Sequence, residues 1–241
     1  MRPMEVCTPT SMLEEERIAD DLVMAREGAL TRQAARDATA ALFGRVMFLV
    51  AVACGFAAAG AYIGRDLSGG WAIGAWIAAF VLVIGMGFVK ERSGPVAMGL
   101  LFAIGLLLGL AIGPTIGVYL SVDGGGTIVA QAAGATALFI SGFGAAGYAI
   151  RRDLQPLARM LFWATLGLIA VGIVLIFVNI PNGALIWSIL GLVVFAGWTM
   201  IDFQRMRRGG VHDAVPIALG IFLDVFNVFL FFLNIFGGSS R

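Results

Sequence analysis

Residues 220–236 read GIFLDVFNVFLFFLNIF, and how that run is read decides the fold. It holds one ionisable side chain, Asp224, and two amides, Asn227 and Asn234; everything else is apolar or glycine. A charged group at the centre of a membrane-spanning helix costs about 2.5–3.5 kcal/mol on insertion scales. Asp224 must therefore be neutral or have a partner, and the rest of the chain has to supply one.

The wider composition fits a membrane setting. Of 241 residues, 60% are hydrophobic and 13% charged, against about 25% charged in soluble domains. Mean hydropathy is +0.94. The 33 glycines suit helices packed closely in lipid. A net charge of +1 gives no bulk pull toward nucleic acid. Cys7 and Cys54 offer neither a disulfide framework nor a metal-ligand spacing. The first 40 residues are polar and acid-rich, so no cleavable signal peptide is expected.

Residues 1–42 form a polar, acid-rich tail, with EEER at 14–17 and DD at 20–21, read as one or two short amphipathic helices or a partly disordered segment. Seven apolar runs follow, at about 43–64, 71–89, 95–120, 126–149, 158–178, 184–204 and 215–236. Each approaches or exceeds the roughly 20 residues needed to cross a bilayer. They are too long for barrel strands and lack alternation. The expected fold is an all-α membrane protein, a seven-transmembrane-helix bundle over residues 43–237 with a short tail at 238–241. Basic residues set the orientation. Arg26, Arg32, Arg36, Lys90, Arg92, Arg151, Arg152, Arg205, Arg207 and Arg208 fall on one side, Arg65 and Arg241 on the other. The N-terminus is then cytoplasmic. Seven crossings place the C-terminus outside, and a re-entrant last run returns it inside.

Gly105, Gly109 and Gly113 recur every four residues in the third run and form a smooth ridge for close helix packing. Pro114 should kink or end that span.

Several chemistries lack their residues. Ser141 in FISGFG invites comparison with an intramembrane protease, but the single histidine, His212, lies in a loop. One histidine and two distant cysteines make no zinc site. The only lysine, Lys90, ends the second run, which leaves no lysine inside a late span for a retinal Schiff base. No phosphate-cradling loop occurs. The chain is not expected to be an enzyme or to carry a cofactor.

Asp202, in WTMIDFQRMRR, is the plausible partner of Asp224. It lies six residues in from Arg208, roughly 9 Å along the helix, and Asp224 lies nine residues beyond Val215, roughly 13 Å. An antiparallel hairpin brings both to similar depth. Asp224, Asn227, Phe231 and Asn234 share one helix face, and Asn227 can donate to a carboxylate one turn away. Two close carboxylates in a low-dielectric site resist double ionisation, so the pair can exchange a proton. It can also accept Ca²⁺ weakly, since that ion wants about 6–8 oxygens. Lys90 and Arg205 lie on the same side and can pair with Asp202. On the residues alone, a pair that merely ties helices together is an equal reading.

IDFQRM at 201–206, followed by ALGIFLDVFNVFLFFLNIFG at 218–237, resembles the C-terminal signature of the Bax inhibitor-1 family, closest to its bacterial YccA-like branch. SGFGAAGYAIRRDL at 141–154 and GPTIGVY at 113–119 are similar to the family's fourth span and the end of its third. The resemblance covers about residues 43–237. It implies a bundle whose seventh helix is central, in a bacterial inner membrane. It further implies a pH-sensitive cation leak, mainly for Ca²⁺, controlled by a di-aspartyl unit at Asp202 and Asp224. The second span lacks the acidic residue some members carry, and the acidic tail is outside the family core. A non-conducting modulator that binds a membrane-bound AAA protease is the alternative, and a proton-coupled transporter the third reading.

Overall fold

The computed structural model describes residues 9–67, 69–89, 94–178 and 180–238. Among them the chain forms seven α-helices and no strand: α1 Pro9–Gly64, α2 Gly69–Met86, α3 Pro95–Leu120, α4 Gly125–Ala149, α5 Gln155–Phe177, α6 Gly183–Arg208 and α7 Ala214–Gly238. A 3₁₀ turn, Val211–Asp213, leads into α7. Six of the seven helices contain windows long and apolar enough to cross a membrane.

Two units are distinct, Met1–Ala41 and Leu42–Arg241. In the first, the described residues belong to a single helix and the described side chains are almost all exposed. The expected short helices are thus replaced by one element, continuous with the first apolar run. No proline lies between Pro9 and Pro95, and alanine and charged helix formers fill the polar stretch. Thr31 and Thr39 turn their hydroxyls onto carbonyls one turn back, at 2.9 Å each, rather than breaking the helix.

In the second unit, α1 and α3 pack through glycine. A Cβ at Gly105 would stand 2.7 Å from the Ala53 carbonyl oxygen, one at Gly109 2.9 Å from Ala57 Cα, and one at Gly117 2.7 Å from the Arg65 carbonyl oxygen. Later glycines on α3 meet later residues on α1, so the two helices run in the same direction. Gly113 completes the ridge against Gly64. The ridge expected from the sequence therefore packs within the molecule. Because α1 and α3 run the same way, the chain between them must return across the bundle. The returning α2 has 18 residues, about 27 Å of helix. It stops at Met86 rather than at 89: the amides of Gly87, Phe88 and Val89 bond to carbonyls three residues back, at 3.0, 3.0 and 3.3 Å. Two glycines, Gly85 and Gly87, weaken the helix there. Pro114 does not end its helix, since α3 runs on to Leu120.

The core gathers Leu42, Val46, Leu101, Ile104, Met206, Ile221 and Phe222, all buried. The outward faces carry Trp71, Phe80, Phe88, Leu138, Trp163 and Phe177, all exposed. In water such a surface would drive aggregation; in a bilayer it is ordinary lipid contact. The chain is an integral membrane protein with several apolar helices. α7 packs against α3, α4 and α6, and more than half of its apolar window is buried, 56%.

Candidate functional site: an acidic pair between the last two helices

α6 and α7 each bury one carboxylate. Asp202 is 5% exposed and Asp224 3%. The Asp202 carboxylate lies directly against α7 at Gly220, where a Cβ would stand 2.9 Å from Asp202 Cγ. Gly220 is one turn before Asp224 on the same helix. The two acids are therefore neighbours across one helix pair, offset by about a turn.

Arg205 Nη1 donates to Asp202 Oδ1 at 3.2 Å. The pair is asymmetric in exposure: the arginine side chain is 43% exposed and the aspartate 7%. It sits within one helix, at i and i+3, so Arg205 alone cannot tie α6 to α2. Lys90, the other expected partner, lies outside the described residues. Asn227 does not reach a carboxylate. Its Nδ2 donates to the Leu223 carbonyl of its own helix at 2.7 Å, a local bond always within reach of an asparagine in a helix. Asn234 is partly buried on α7. Phe231, on the expected polar face, instead packs its ring on Trp187 and Phe195 of α6, with centroids 5.0 and 5.7 Å away.

Sequence reading missed two residues at this site. Gly220 is one: only a residue without a side chain leaves room for the Asp202 carboxylate. A glycine one turn before a lone helical aspartate was the available signal. Thr199 is the other. It is fully buried, one turn before Asp202, and its hydroxyl faces the Asp224 carboxyl. Among the described residues no three His, Cys, Asp or Glu side chains cluster as a metal site. A Ca²⁺ ion passing the pair as cargo would need carbonyl or water oxygens to fill its shell.

The α6 end also grips the α4–α5 connector. Gln204, 2% exposed, donates to the Ile150 and Arg152 carbonyls at 3.1 and 2.7 Å and accepts from the Leu154 amide at 2.9 Å. Arg207 caps the end of α4 by donating to the Tyr148 and Ile150 carbonyls at 2.7 and 2.8 Å. Arg208 pairs with Asp153 at 2.7 Å. The Asp153 carboxyl is held below its ordinary value, first by the Gln155 amide and then by Arg208. The stretches IDFQRMRR and YAIRRDL are thus two halves of one hydrogen-bonded joint. Ser141 bonds the Ala137 carbonyl at 2.7 Å, as a packing residue does.

Fold and site together define a polytopic helical membrane protein with a buried acidic pair between its last two helices. The chain belongs to the family described as "Inhibitor of apoptosis-promoting Bax1", the Bax inhibitor-1 family, whose profile matches residues 39–241. It is 31% identical to an uncharacterized protein of Chlamydia muridarum over 206 residues, 78% of this chain and 83% of that one. It is 30% identical over 181 residues to the inner membrane protein YbhL of Escherichia coli, covering 68% of this chain and 74% of the relative. An uncharacterized membrane protein of Vibrio cholerae is 28% identical over 131 residues, 54% of this chain and 59% of the other.

Proposed function

We propose that this chain is a pH-sensitive cation leak of the bacterial inner membrane, passing mainly Ca²⁺, with Asp202 and Asp224 as its gate. The observation that carries the reading is the placement of two buried carboxylates from adjacent helices within a turn of each other, one of them bonded to a half-exposed arginine. In this reading the N-terminus is cytoplasmic, α7 is the central helix, and no bond is made or broken in a substrate. Protonation of Asp202 removes the charge that holds Arg205. The guanidinium is then free to swing to solvent, and α6 is free to shift against α7 at Gly220. A passing cation replaces part of its water with the two carboxylates and with carbonyl oxygens. The test uses the full chain in liposomes loaded with a Ca²⁺-sensitive dye. Ca²⁺ entry that rises as the pH is lowered supports the leak, and dye signals equal to those of protein-free liposomes at every pH refute it.

A second reading has its own observation. Leu22, Val23, Met24 and Leu30 are apolar and exposed in the Met1–Ala41 unit, which suits a helical arm that engages another protein, such as a membrane-bound AAA protease. Deleting residues 1–40 separates the readings: a leak keeps its flux, whereas a modulator loses its partner.

A further inference from the structure

An open crevice of about 630 Å³ runs between α1, α3, α4 and α7, apart from the acidic pair. Its room comes from alanines. Ala57, Ala58 and Ala61 of α1 line it together with Ala133 and Ala137 of α4. From Val129 to Ser141 on α4 the lining spans twelve residue steps, roughly 18 Å along the helix axis.

The crevice offers almost nothing to water. Its hydroxyls bond within their own helix: buried Thr136 donates to the Ala132 carbonyl at 2.7 Å and exposed Ser141 to the Ala137 carbonyl at 2.7 Å. A water needs two to four polar partners to be held, and away from Arg65 and Tyr62 the apolar walls offer few. An unfilled apolar space of this size is costly, since its lining loses contact atoms. In a bilayer the available filler is a hydrocarbon chain.

The mouth is different. Among the described residues Arg65 is the one charged side chain in the lining. Its guanidinium lies 4.3 Å from the centre of the Tyr62 ring, which fixes its plane. Asp66 takes Nε at 3.2 Å, and the Asp66 side chain is 84% exposed. The guanidinium stands at the crevice mouth, 41% exposed, and its fork matches phosphate oxygens.

We propose that this crevice binds one anionic phospholipid of the surrounding bilayer, with an acyl chain between the α1 and α4 alanines and the phosphate on Arg65. The site does not depend on whether the protein conducts.

The test is native mass spectrometry of the full chain released from nanodiscs of phosphatidylglycerol and phosphatidylcholine in equal amounts. The expected result is one retained phosphatidylglycerol, favoured over phosphatidylcholine by roughly tenfold, the ratio one charge-assisted contact supports. Arg65→Gln should keep a retained lipid but lose that preference. Ala137→Phe should lose the lipid. Should Ala137→Phe fail to fold, Arg65→Gln still decides, because its side chain is 41% exposed and outside the core. Equal retention of the two lipids, no retained lipid, a free fatty acid in its place, or an unchanged preference in Arg65→Gln would each overturn the proposal.

Discussion

Asp202 and Gly220 are one device made of two residues. The carboxylate occupies the space a side chain at 220 would take. Gly220→Ala should therefore cost about 1–3 kcal/mol, the usual penalty of overpacking, although alanine is the better helix former. Thermal melting in detergent would read it, and a melting point equal to the parent's would mean the carboxylate is not held there. Arg205→Gln leaves Asp202 buried without its cation. The expected loss is about 1–2 kcal/mol, between the values for exposed and buried pairs, because Arg205 is nearly half exposed. Asp153 gives a pH prediction. Its carboxyl is depressed by the Gln155 amide and Arg208, so its contribution is fully present above its unfolded value and is lost as pH falls through its folded one. Amide protection factors at residues 150–155, corrected for the intrinsic exchange rate, should fall in acid at the low end of the carboxylate range and hold at pH 6. Asp202, Asp224 and their antiparallel arrangement were legible in the sequence, because charges in apolar runs are rare and helix rise is fixed. Thr199 and Gly220 were not. A small residue in a membrane helix looks the same whether it packs against a carboxylate or against a methyl group.

At the scale of the element, glycine spacing was the readable signal and its partner was not. The ridge at Gly105, Gly109 and Gly113 could be read as a packing face, but only the structure shows that α1 is what it meets. Gly109→Val should prevent close packing of α1 on α3 and lower the folded yield on size exclusion. Gly134→Ala, where a Cβ would meet nothing within 4 Å, should be neutral or stabilising by up to about 1 kcal/mol. Equal behaviour of the two variants would contradict the packing. The ends of α1 and α2 resisted sequence reading for physical reasons. Helix formers in the polar arm carry α1 back to Pro9 with no break in composition at the membrane boundary. Glycines at 85 and 87 end α2 while apolar residues continue through Val89. Hydropathy follows solvent, and helix ends follow backbone bonding. Gln204 is the clearest case of a motif residue whose reason is tertiary. Its three bonds reach a connector some fifty residues earlier in the chain. Gln204→Leu would strand those backbone groups and should cost about 1–3 kcal/mol.

The Leu42–Arg241 unit is a bundle whose apolar exterior requires lipid and whose last hairpin encloses two acids. The membrane class follows from composition alone, and the family above all from IDFQRM and ALGIFLDVFNVFLFFLNIFG, the stretches of α6 and α7 that carry the two acids. What joins class to function is the acidic pair, and one measurement tests it most directly. Ca²⁺ entry into liposomes is followed from pH 8 to pH 5 for the parent, Asp202→Asn and Asp224→Asn, each checked for folding by size exclusion. If the pair is the gate, the parent's flux depends on pH, and both variants flatten or displace that dependence. Folded variants whose flux traces the parent's curve at every pH would contradict the account.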